Sequence, residues 1–516
     1  MSAALALAPK ATRREWIGLA VIALPCMLYA MDLTVLNLAV PQLSADLKPT
    51  SSQLLWIVDV YGFMVAGLLI TMGTLGDRIG RRRLLLIGAC AFGVASVLAA
   101  FSTSAGMLIA MRAVLGIAGA TLAPSTLSLI RNMFADPAQR TFAIGVWITS
   151  YSVGGAIGPL LGGVLLQHFW WGSVFLMAVP VMVLLLLVGP VLLPEFRDPD
   201  AGRLDLASAA QSLAAVLAVI YGLKRIAENG LDWLPALFIV AGAAIGVAFV
   251  RRQQGLADPL IDLRLFRAPG FCVSLATYTL GTFVAFGIFL FIGQYLQLVL
   301  GMGPLEAGLW TMPFAGGFIV GSMLTPMIAR RLRPASLVAA GLALAAVGFG
   351  VLTQVGKAPG VALLVTGFVV YSLGLAPVFT LATDLIVGSA PPERAGAASA
   401  ISETGSELGG ALGIAILGSA GAALYRSRMA DSLPAGVPPD AAELARSTLG
   451  GALAAAEQLP DPFGAALLAT AREAFAQSLE LVALLSAAIL IATAIVAAAR
   501  LRSVKPANPV EERSSI

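Results

Sequence analysis

The chain has 516 residues, of which 59% are hydrophobic and only 12% are charged. Because soluble domains carry about 25% charged residues, this composition excludes an ordinary soluble protein and indicates a protein of the lipid bilayer. The formal net charge of +4 arises from arginines at the ends of apolar segments, and no nucleic-acid partner is predicted.

Apolar runs of about 20 residues, each long enough to cross a bilayer as a helix, recur along the chain. An even number of crossings puts both termini on one side. Most of the Lys and Arg residues lie on that same side, which the positive-inside rule assigns to the cytoplasm. The pattern predicts fourteen spans, near residues 15–40, 53–75, 84–102, 106–128, 141–166, 172–193, 205–225, 232–250, 270–298, 305–328, 335–354, 360–388, 395–424 and 478–500.

Acidic residues inside the first two spans mark candidate functional positions. Asp32 lies in span one, and Asp59 lies in span two between Trp56 and Tyr61. An ionised side chain is costly within a bilayer, so each carboxylate predicts a partner, a bound cation or a proton-carrying role. By depth, Asp32 is predicted to reach the level of Arg112 in span four, whereas Asp59 is predicted to lie nearer the outer mouth.

A short basic turn, TMGTLGDRIGRRR at residues 71–83, joins spans two and three. Its arginines assign the turn to the cytoplasmic side, and its glycines permit tight turning and close backbone approach. A positive-inside anchor without any further role would show the same charges; we predict that the turn acts as a gate on that side. The predicted gating residues of the turn are Gly73, Asp77, Arg78, Gly80 and Arg81.

Two contacts are predicted for this gate. Asp77 is expected at the N-terminus of span thirteen, near residues 395–396, where a carboxylate gains about 0.3–1 kcal/mol from the helix dipole. Arg78 or Arg81 is expected to pair with Asp136 at the end of span four. Both contacts are expected when the cytoplasmic side is closed.

A lone arginine, Arg112, lies inside span four in the sequence RAVLG. A buried arginine costs at least about 3 kcal/mol at a helix centre, so it needs a partner or a function. A pair with an aspartate such as Asp32 would satisfy the charge without any further role. A role in proton coupling is the alternative, which the family resemblance described below favours.

Span five carries a glycine pattern, GGAIGPLLGG at residues 154–163. Glycines at every fourth position form one smooth helix face, against which a neighbouring helix can pack closely. A proline inside a span removes a backbone donor and bends the helix. Ordinary small-residue packing would give the same pattern. The residues predicted to take part in conformational gating here are Gly154, Gly158, Pro159 and Gly162.

The order of the spans suggests a duplicated core with an insertion. Spans seven and eight contain few polar residues and are predicted to lie outside both six-span groups, without substrate contacts. Residues 425–477 are predicted to form an external helical hairpin, with arms near 440–458 and 462–477. The predicted units are a first six-helix bundle (1–194), a linker with the inserted pair (195–252), most of the second bundle (253–424), the external loop (425–477) and the last span with its tail (478–516).

Two further acids, Glu403 and Glu407, lie one helical turn apart in span thirteen and therefore share one helix face. Together with Asp32 and Asp59 they oppose a single intramembrane base, Arg112. If one acid pairs with the arginine, the remaining acids must be protonated, hydrated or facing a cation, and burial with mutual repulsion favours the protonated form. Such a surplus of buried carboxyl groups is what a proton carrier requires.

These motifs resemble those of the fourteen-span drug:proton antiporters in the major facilitator superfamily. The turn at 71–83 resembles the family's cytoplasmic loop signature, the segment around Arg112 its span-four signature, and the pattern at 154–163 the motif of its antiporters. The resemblance extends over nearly the whole chain, including DLTVLNLAVP at 32–41 and RAGAASAISETGSELGG at 394–410. It implies an all-α integral membrane protein with the major facilitator fold, in which 14 transmembrane helices form two six-helix bundles plus two inserted helices.

The resemblance also implies export of lipophilic organic cations, such as quaternary ammonium compounds and dyes, in exchange for protons. On that basis Asp32 and Arg112 are predicted to couple protons, with no cofactor beyond the proton gradient. Span ten has no acid beyond Glu306 near its end, which leaves the transport of divalent cations open. Carboxylates and aromatic rings both attract organic cations. The predicted substrate-binding residues are Asp59, Glu403, Glu407, Trp56, Tyr61 and Tyr151.

The predicted protein is a monomer in a bacterial inner membrane, with membrane lipids, protons and small lipophilic cations as its partners. One alternative is an exporter of a neutral metabolite or lipid on the same fold, which cation-stimulated proton efflux would distinguish. A membrane-embedded enzyme is the other alternative. The sequence holds no cluster of His, Cys or Ser with a base at a workable spacing and no GxxxxGK[ST] phosphate loop, so neither catalysis nor nucleotide hydrolysis is predicted.

Overall fold

Long helices make up nearly all of the described fold. The structure is a computed structural model that describes residues 10–49, 51–197, 205–229, 232–256, 259–356, 360–391, 394–434, 437–460 and 462–501. Among these residues, 14 helices are long and apolar enough to cross a membrane, and no strand occurs. The prediction of an all-helical membrane protein with fourteen spans is therefore confirmed.

Eight helices make up the first six spans. They are α1 (Arg13–Leu47), α2 (Ser51–Ile79), α3 (Arg81–Ala100), α4 (Ala105–Gly119), α5 (Leu122–Met133), α6 (Pro137–His168), α7 (Ser173–Leu176) and α8 (Ala178–Leu192). The inserted pair consists of α9 (Leu206–Asn229) and α10 (Trp233–Gly255).

A 3-10 turn at Leu263–Arg267 leads into the last six spans, and two short helices precede the final one. The helices are α11 (Pro269–Gln294), which continues as a π-helical turn at Tyr295–Val299, then α12 (Pro304–Ala329), α13 (Pro334–Leu352), α14 (Val361–Gly388), α15 (Ala395–Ser432), α16 (Pro439–Ser447), α17 (Leu449–Glu457) and α18 (Phe463–Arg500).

The fourth span is broken into α4 and α5 around Ala120 and Thr121. Pro124, in the first turn of α5, has no backbone N–H and cannot donate to the carbonyl of Ala120 four residues earlier. The hydroxyl of Thr121 donates to the carbonyl of Ala118 at 2.7 Å. The backbone N–H of Thr121 donates to the same carbonyl at 3.1 Å, so Thr121 bonds twice to the last turn of α4.

The spans pack as two bundles with the inserted pair beside them. In the first half, α1 packs on α6 and α8, and α3 packs on α4 and α8. In the second half, α11 packs on α15 and α18, and α13 packs on α14 and α18. The halves meet where α2 and α5 contact α15, and where α6 contacts α12 and α14. The predicted arrangement of two six-helix bundles plus two inserted helices is confirmed.

The inserted pair lies along one seam between the halves. Helix α9 packs against α2 of the first half and α15 of the second, while α10 packs on α9. Gly67 on α2 allows close contact, since a Cβ there would lie 2.4 Å from Leu213 Cδ1 and 3.2 Å from Leu217 Cδ2. Phe63 of α2 packs with Ile220 of α9. The absence of substrate contacts on this pair stays a prediction.

The region between spans thirteen and fourteen differs from the predicted hairpin. Helix α15 extends to Ser432 and α18 begins at Phe463, so the predicted second arm is the first part of the helix that crosses the membrane. The predicted first arm is two helices, because Thr448 accepts a hydrogen bond from the backbone N–H of Gly451 at 3.0 Å and caps α17. Counting apolar residues does not reveal such an extension, since a helix can continue beyond the bilayer.

The turn at 71–83, where α2 ends and α3 begins, defines one end of the bundle, which we call the basic end. Because successive spans alternate in direction, α6, α11, α13 and α15 begin at this end, and α12 and α14 finish there. The cytoplasmic orientation of the basic end stays a prediction.

Candidate functional site

Arg112 on α4 is buried inside the first half, with 1% of its side chain exposed. Its Nη1 donates to Asp32 Oδ2 at 2.5 Å, and its Nε donates to the carbonyl of Ile57 at 3.1 Å. The guanidinium also lies over the ring of Tyr61, 4.6 Å from the ring centroid. The structure thus pairs Arg112 with Asp32. Removing one partner of such a buried pair costs about 3–5 kcal/mol, and the role of the pair in proton coupling stays a prediction.

Tyr29 connects the two halves beside this ion pair. It lies on α1 about one turn before Asp32, and its hydroxyl donates to Glu407 Oε1 on α15 at 3.0 Å. The rings of Tyr61 and Tyr151 flank it, with centroids 5.9 Å and 5.7 Å from its own. Tyr29 is absent from the predicted site residues. Tyr29 is one of several aromatic residues in the spans that could face an organic cation, but its local sequence does not predict this contact, which exists only once the two halves pack together.

Glu403, one turn before Glu407 on α15, faces the same group of tyrosines. Its Oε1 is buried without a hydrogen-bond partner, and the hydroxyl of Tyr278 on α11 lies beside its carboxyl group. The hydroxyls of Tyr61 and Tyr151 are also buried without a hydrogen-bond partner among the described residues. These atoms can accept from or donate to a bound molecule without first breaking a hydrogen bond inside the protein.

Trp56 and Asp59 belong to a different face of α2. Trp56 is 43% exposed, and its ring lies 6.2 Å from that of Phe63, which packs with α9. Helical spacing places Asp59 on the side of Phe63 and away from Tyr61. The predicted substrate residues that the structure brings together around Tyr29 are Tyr61, Tyr151, Glu403 and Glu407.

We call the group formed by Tyr29, Tyr61, Tyr151, Glu403 and Glu407 the tyrosine–glutamate cluster. A carboxylate attracts an organic cation, and each aromatic face can add about 0.5–2 kcal/mol. The ring of Tyr61 also contacts the guanidinium of the neighbouring ion pair. The arrangement therefore places two carboxyl groups and three aromatic rings next to the buried Asp32–Arg112 pair. Within the described residues, no group of three or more His, Cys, Asp or Glu side chains is placed to hold a metal ion.

Asp77 joins the halves at the basic end. Its Oδ1 accepts from the backbone N–H of Gly396 and its Oδ2 from that of Ala397, both at 3.0 Å, in the first turn of α15. The predicted contact with the start of span thirteen is therefore confirmed. Gly73 permits this approach, because a Cβ there would lie 2.5 Å from the carbonyl oxygen of Gly396.

Arg81 pairs with Asp77 rather than with Asp136. Its Nη2 lies 2.8 Å from Asp77 Oδ1, and 1% of its side chain is exposed. Asp136 instead caps α6 by accepting from the backbone N–H of Gln139 at 2.8 Å. The predicted Arg81–Asp136 pair is therefore wrong. Asp77 lies four residues before Arg81, about one helical turn away, and is closer to Arg81 than Asp136 is.

Gly80 holds the turn between α2 and α3 in a conformation that favours glycine, with φ of +108°. The carboxylate of Glu195 fills the space beside it, since a Cβ on Gly80 would lie 2.6 Å from Glu195 Oε1. That carboxylate accepts from the backbone N–H groups of Arg82 and Arg83, each at 3.1 Å. The polar segment after span six thus caps the first turn of α3.

A second contact between the halves at the basic end joins α6 to α14. The Nε of Arg140 donates to Asp384 Oδ1 at 2.6 Å, and the hydroxyl of Thr141 donates to Oδ2 at 2.7 Å. Thr74 of α2 also donates to the carbonyl of Leu260, before α11, at 3.0 Å. Sequence reasoning missed these contacts. The position of Asp384 near a span end was the only signal, and it names no partner.

The glycine pattern of α6 packs against α1. A Cβ on Gly154 would lie 2.2 Å from the carbonyl oxygen of Met27, and one on Gly162 would lie 2.6 Å from Val35 Cγ1. A Cβ on Gly155 would meet nothing within 4 Å. The four-residue spacing therefore lies on the face that contacts α1, as predicted, and its role in gating stays a prediction.

The chain is similar to a known protein family and to characterised proteins over most of its length. Residues 22–414 match the family model of the Major Facilitator Superfamily. The multidrug efflux pump LfrA of Mycolicibacterium smegmatis is 43% identical over 499 residues, which cover 96% of this chain and 99% of that protein. The methyl viologen resistance protein SmvA of Salmonella typhimurium is 38% identical over 472 residues, covering 90% and 93%.

A solved structure has a similar fold. The crystal structure of the human organic anion transporter MFSD10 aligns with a TM-score of 0.58 at 18% identity. The alignment covers 92% of this chain and 99% of that one. At this identity the likeness concerns the fold alone.

Proposed function

Since this chain belongs to the Major Facilitator Superfamily of membrane transporters, we propose that it is a multidrug exporter that carries lipophilic organic cations outward in exchange for protons. The similarity to the efflux pump LfrA and to the resistance protein SmvA, over 96% and 90% of the chain, supports drug export. The proton gradient supplies the energy, and no cofactor is required.

The observation that carries this proposal is the placement of Glu403 and Glu407 among tyrosine side chains. A carboxylate attracts a lipophilic cation, and the apolar groups of that cation can at the same time contact the aromatic rings. The relative SmvA is a methyl viologen resistance protein, and methyl viologen is an aromatic organic dication. In this chain the acid of α12 is Glu306, which lies in the first turn of the helix and is exposed. Helix α12 therefore offers no carboxylate deeper in the span that could balance a second positive charge. We expect single-charged cations to be preferred for that reason.

Transport follows an alternating-access cycle in which the two halves rock about the tyrosine–glutamate cluster. With the basic end open, ionised carboxyl groups take up the cation. The carrier then opens at the other end, and protonation from that side displaces the cation. Asp32, paired with Arg112, carries the coupled proton, while Glu407 binds the cation.

The gradient that drives export depends on how many protons exchange for each substrate. One proton for one single-charged cation moves no net charge, so only the pH difference acts. A second proton would add the membrane potential, worth roughly 2.3 kcal/mol per charge per 100 mV. The several acids near the cluster make the second case accessible.

We further propose that the basic end faces the cytoplasm of a bacterium, so that both termini are cytoplasmic and the protein lies in the inner membrane. The excess of arginine at this end supports that orientation. The inter-half contacts of Asp77, Asp384 and Thr74 all lie at the basic end. This conformation therefore corresponds to a carrier closed toward the cytoplasm. The protein acts as a monomer among membrane lipids.

The test is a susceptibility panel in cells that lack their own drug pumps, extended by transport in everted vesicles. Expression is expected to raise resistance to lipophilic cations such as ethidium and tetraphenylphosphonium more than to neutral compounds of similar size. Uptake of ethidium into everted vesicles is expected to stop when the pH gradient is collapsed. The Asp32→Asn variant serves as the transport-inactive control.

The alternative function is export of a neutral metabolite or lipid on the same fold. It predicts equal or greater resistance to neutral compounds and no proton release when a cation is added. Either result would overturn the proposal of cation export. If a potassium gradient drives transport as effectively as a proton gradient does, the proton is not the coupling ion.

A further inference from the structure

The proposed function leaves open how a proton site in one half affects a cation site in the other. Asp32 and Arg112 both belong to the first half, whereas Glu407 lies on α15 of the second. Tyr29 lies on the same helix as Asp32, about one turn away, and its hydroxyl donates to Glu407 Oε1 at 3.0 Å. The side chain of Tyr29 therefore links the two sites.

Tyr61 supplies a second contact along the same path. The guanidinium of Arg112 lies 4.6 Å from the centroid of its ring, and the ring of Tyr29 lies 5.9 Å away on α1. Tyr61 is 0% exposed. A movement of the Asp32–Arg112 pair therefore displaces the ring of Tyr61, because buried side chains have little free volume around them.

We propose that Tyr29 is a positioning residue that couples cation binding at Glu407 to protonation of Asp32. This inference rests on the proposed exchange of cations for protons. A hydrogen bond to an ionised carboxylate is stronger than one to a neutral acceptor, so Tyr29 holds Glu407 ionised and fixed while Asp32 remains paired with Arg112. A cation binds the carboxylate that Tyr29 holds in place. Protonation of Asp32 releases α1 from Arg112 and withdraws the Tyr29 hydroxyl from Glu407, which weakens cation binding there.

Such coupling is reciprocal by thermodynamic necessity. If a proton on Asp32 weakens cation binding at Glu407 through Tyr29, a bound cation weakens proton binding by the same factor. The ionisable groups around this path lie on several helices. Those groups are Cys26 and Asp32 on α1, Tyr61 on α2, Arg112 on α4, Tyr151 on α6, Tyr278 on α11, and Glu403 and Glu407 on α15.

The experiment compares Tyr29→Phe with the wild type, using the full-length protein in vesicles. Ethidium affinity is measured between pH 6 and pH 8, together with proton release on adding ethidium. Couplings between sites are about 5- to 150-fold, so the wild-type affinity is expected to change by a factor in that range across the titration. In Tyr29→Phe the change is expected to fall below about 3-fold, less than the weakest of such couplings, and proton release per ethidium to fall with it.

Tyr151→Phe is the matched control. Its ring contacts Tyr29 in the same pocket, and its hydroxyl is buried without a hydrogen-bond partner. This variant is expected to keep the wild-type dependence on pH, whatever it does to affinity. Tyr29→Leu removes the hydroxyl in a second way and serves if Tyr29→Phe does not fold, as judged by thermal unfolding.

Two outcomes would overturn the inference. In the first, the ethidium affinity of Tyr29→Phe changes with pH as it does in the wild type. In the second, Tyr29→Phe loses affinity equally at every pH, which is what a merely structural role predicts. Wild-type protein that releases no protons with any cation overturns the proposed function itself, and the inference with it. A flattened pH dependence in Tyr29→Phe alone supports the coupling.

Discussion

Asp77 of the first half accepts hydrogen bonds from the backbone N–H groups of Gly396 and Ala397, at the start of a helix of the second half. A carboxylate at a helix N-terminus lies at the positive end of the helix dipole. The contact therefore favours the state in which the basic end is closed. It breaks whenever the halves separate at that end, which makes it a determinant of the conformational equilibrium.

Asp77→Asn is expected to shift the equilibrium toward the state that is open at the basic end, by about 2- to 5-fold, since the charge contributes about 0.3–1 kcal/mol at this position. Spin labels on the exposed positions 83 and 331 would report the separation of the halves. Asp205→Asn is the control, because Asp205 pairs with Arg252 at 2.7 Å within the inserted segment and not between the halves. An unchanged distance distribution in Asp77→Asn would contradict this assignment.

Arg140 and Asp384 are expected to act together as a second closing contact. Each single substitution, Arg140→Gln or Asp384→Asn, leaves the other partner without its ion pair and is expected to lower transport. Transport by the double variant is expected to be at least as high as that of the less active single variant. The two substitutions are expected to depart from additivity by a coupling free energy of about 0.5–3 kcal/mol. Thermal unfolding in detergent and ethidium efflux in cells both measure it. Strict additivity of the two effects would show that the pair is not coupled.

Gly154→Ala is expected to impair folding and transport, because the added methyl group would lie 2.2 Å from the carbonyl oxygen of Met27, a backbone atom that cannot move aside. Overpacking of this kind costs about 1–3 kcal/mol. Gly155→Ala makes the same chemical change next door, where nothing lies within 4 Å, and is expected to behave as the wild type. Equal unfolding temperatures for the two variants would refute the packing argument.

The fold could be predicted from the sequence because the bilayer imposes a simple rule on it. Each span must be apolar over a fixed length, and each turn must place its charges on one side. The helix break near Thr121 and the extension of α18 to Phe463 were not predicted. Both depend on hydrogen bonds and helix continuity rather than on hydropathy.

The site could be predicted only in part, because sequence gives the depth of a residue more directly than its direction. Depth correctly brought Asp32 to Arg112. Asp59 was predicted to bind substrate but lies on another face of α2 from Tyr61. The contacts of Tyr29 and Asp384 cross between halves, so they depend on how the bundles dock, which no local pattern records.

The central claim is a division of labour in which Asp32 carries the proton and Glu407 binds the cation. Its most direct test is drug-induced proton release from reconstituted vesicles, measured for several cations in Asp32→Asn and in Glu407→Gln. We predict that Asp32→Asn abolishes transport and proton release for every substrate, because the coupling step is shared. Glu407→Gln is predicted to reduce cation transport while the proton-linked conformational change remains measurable. Full activity in Asp32→Asn, or an equal loss in both variants, would contradict the account.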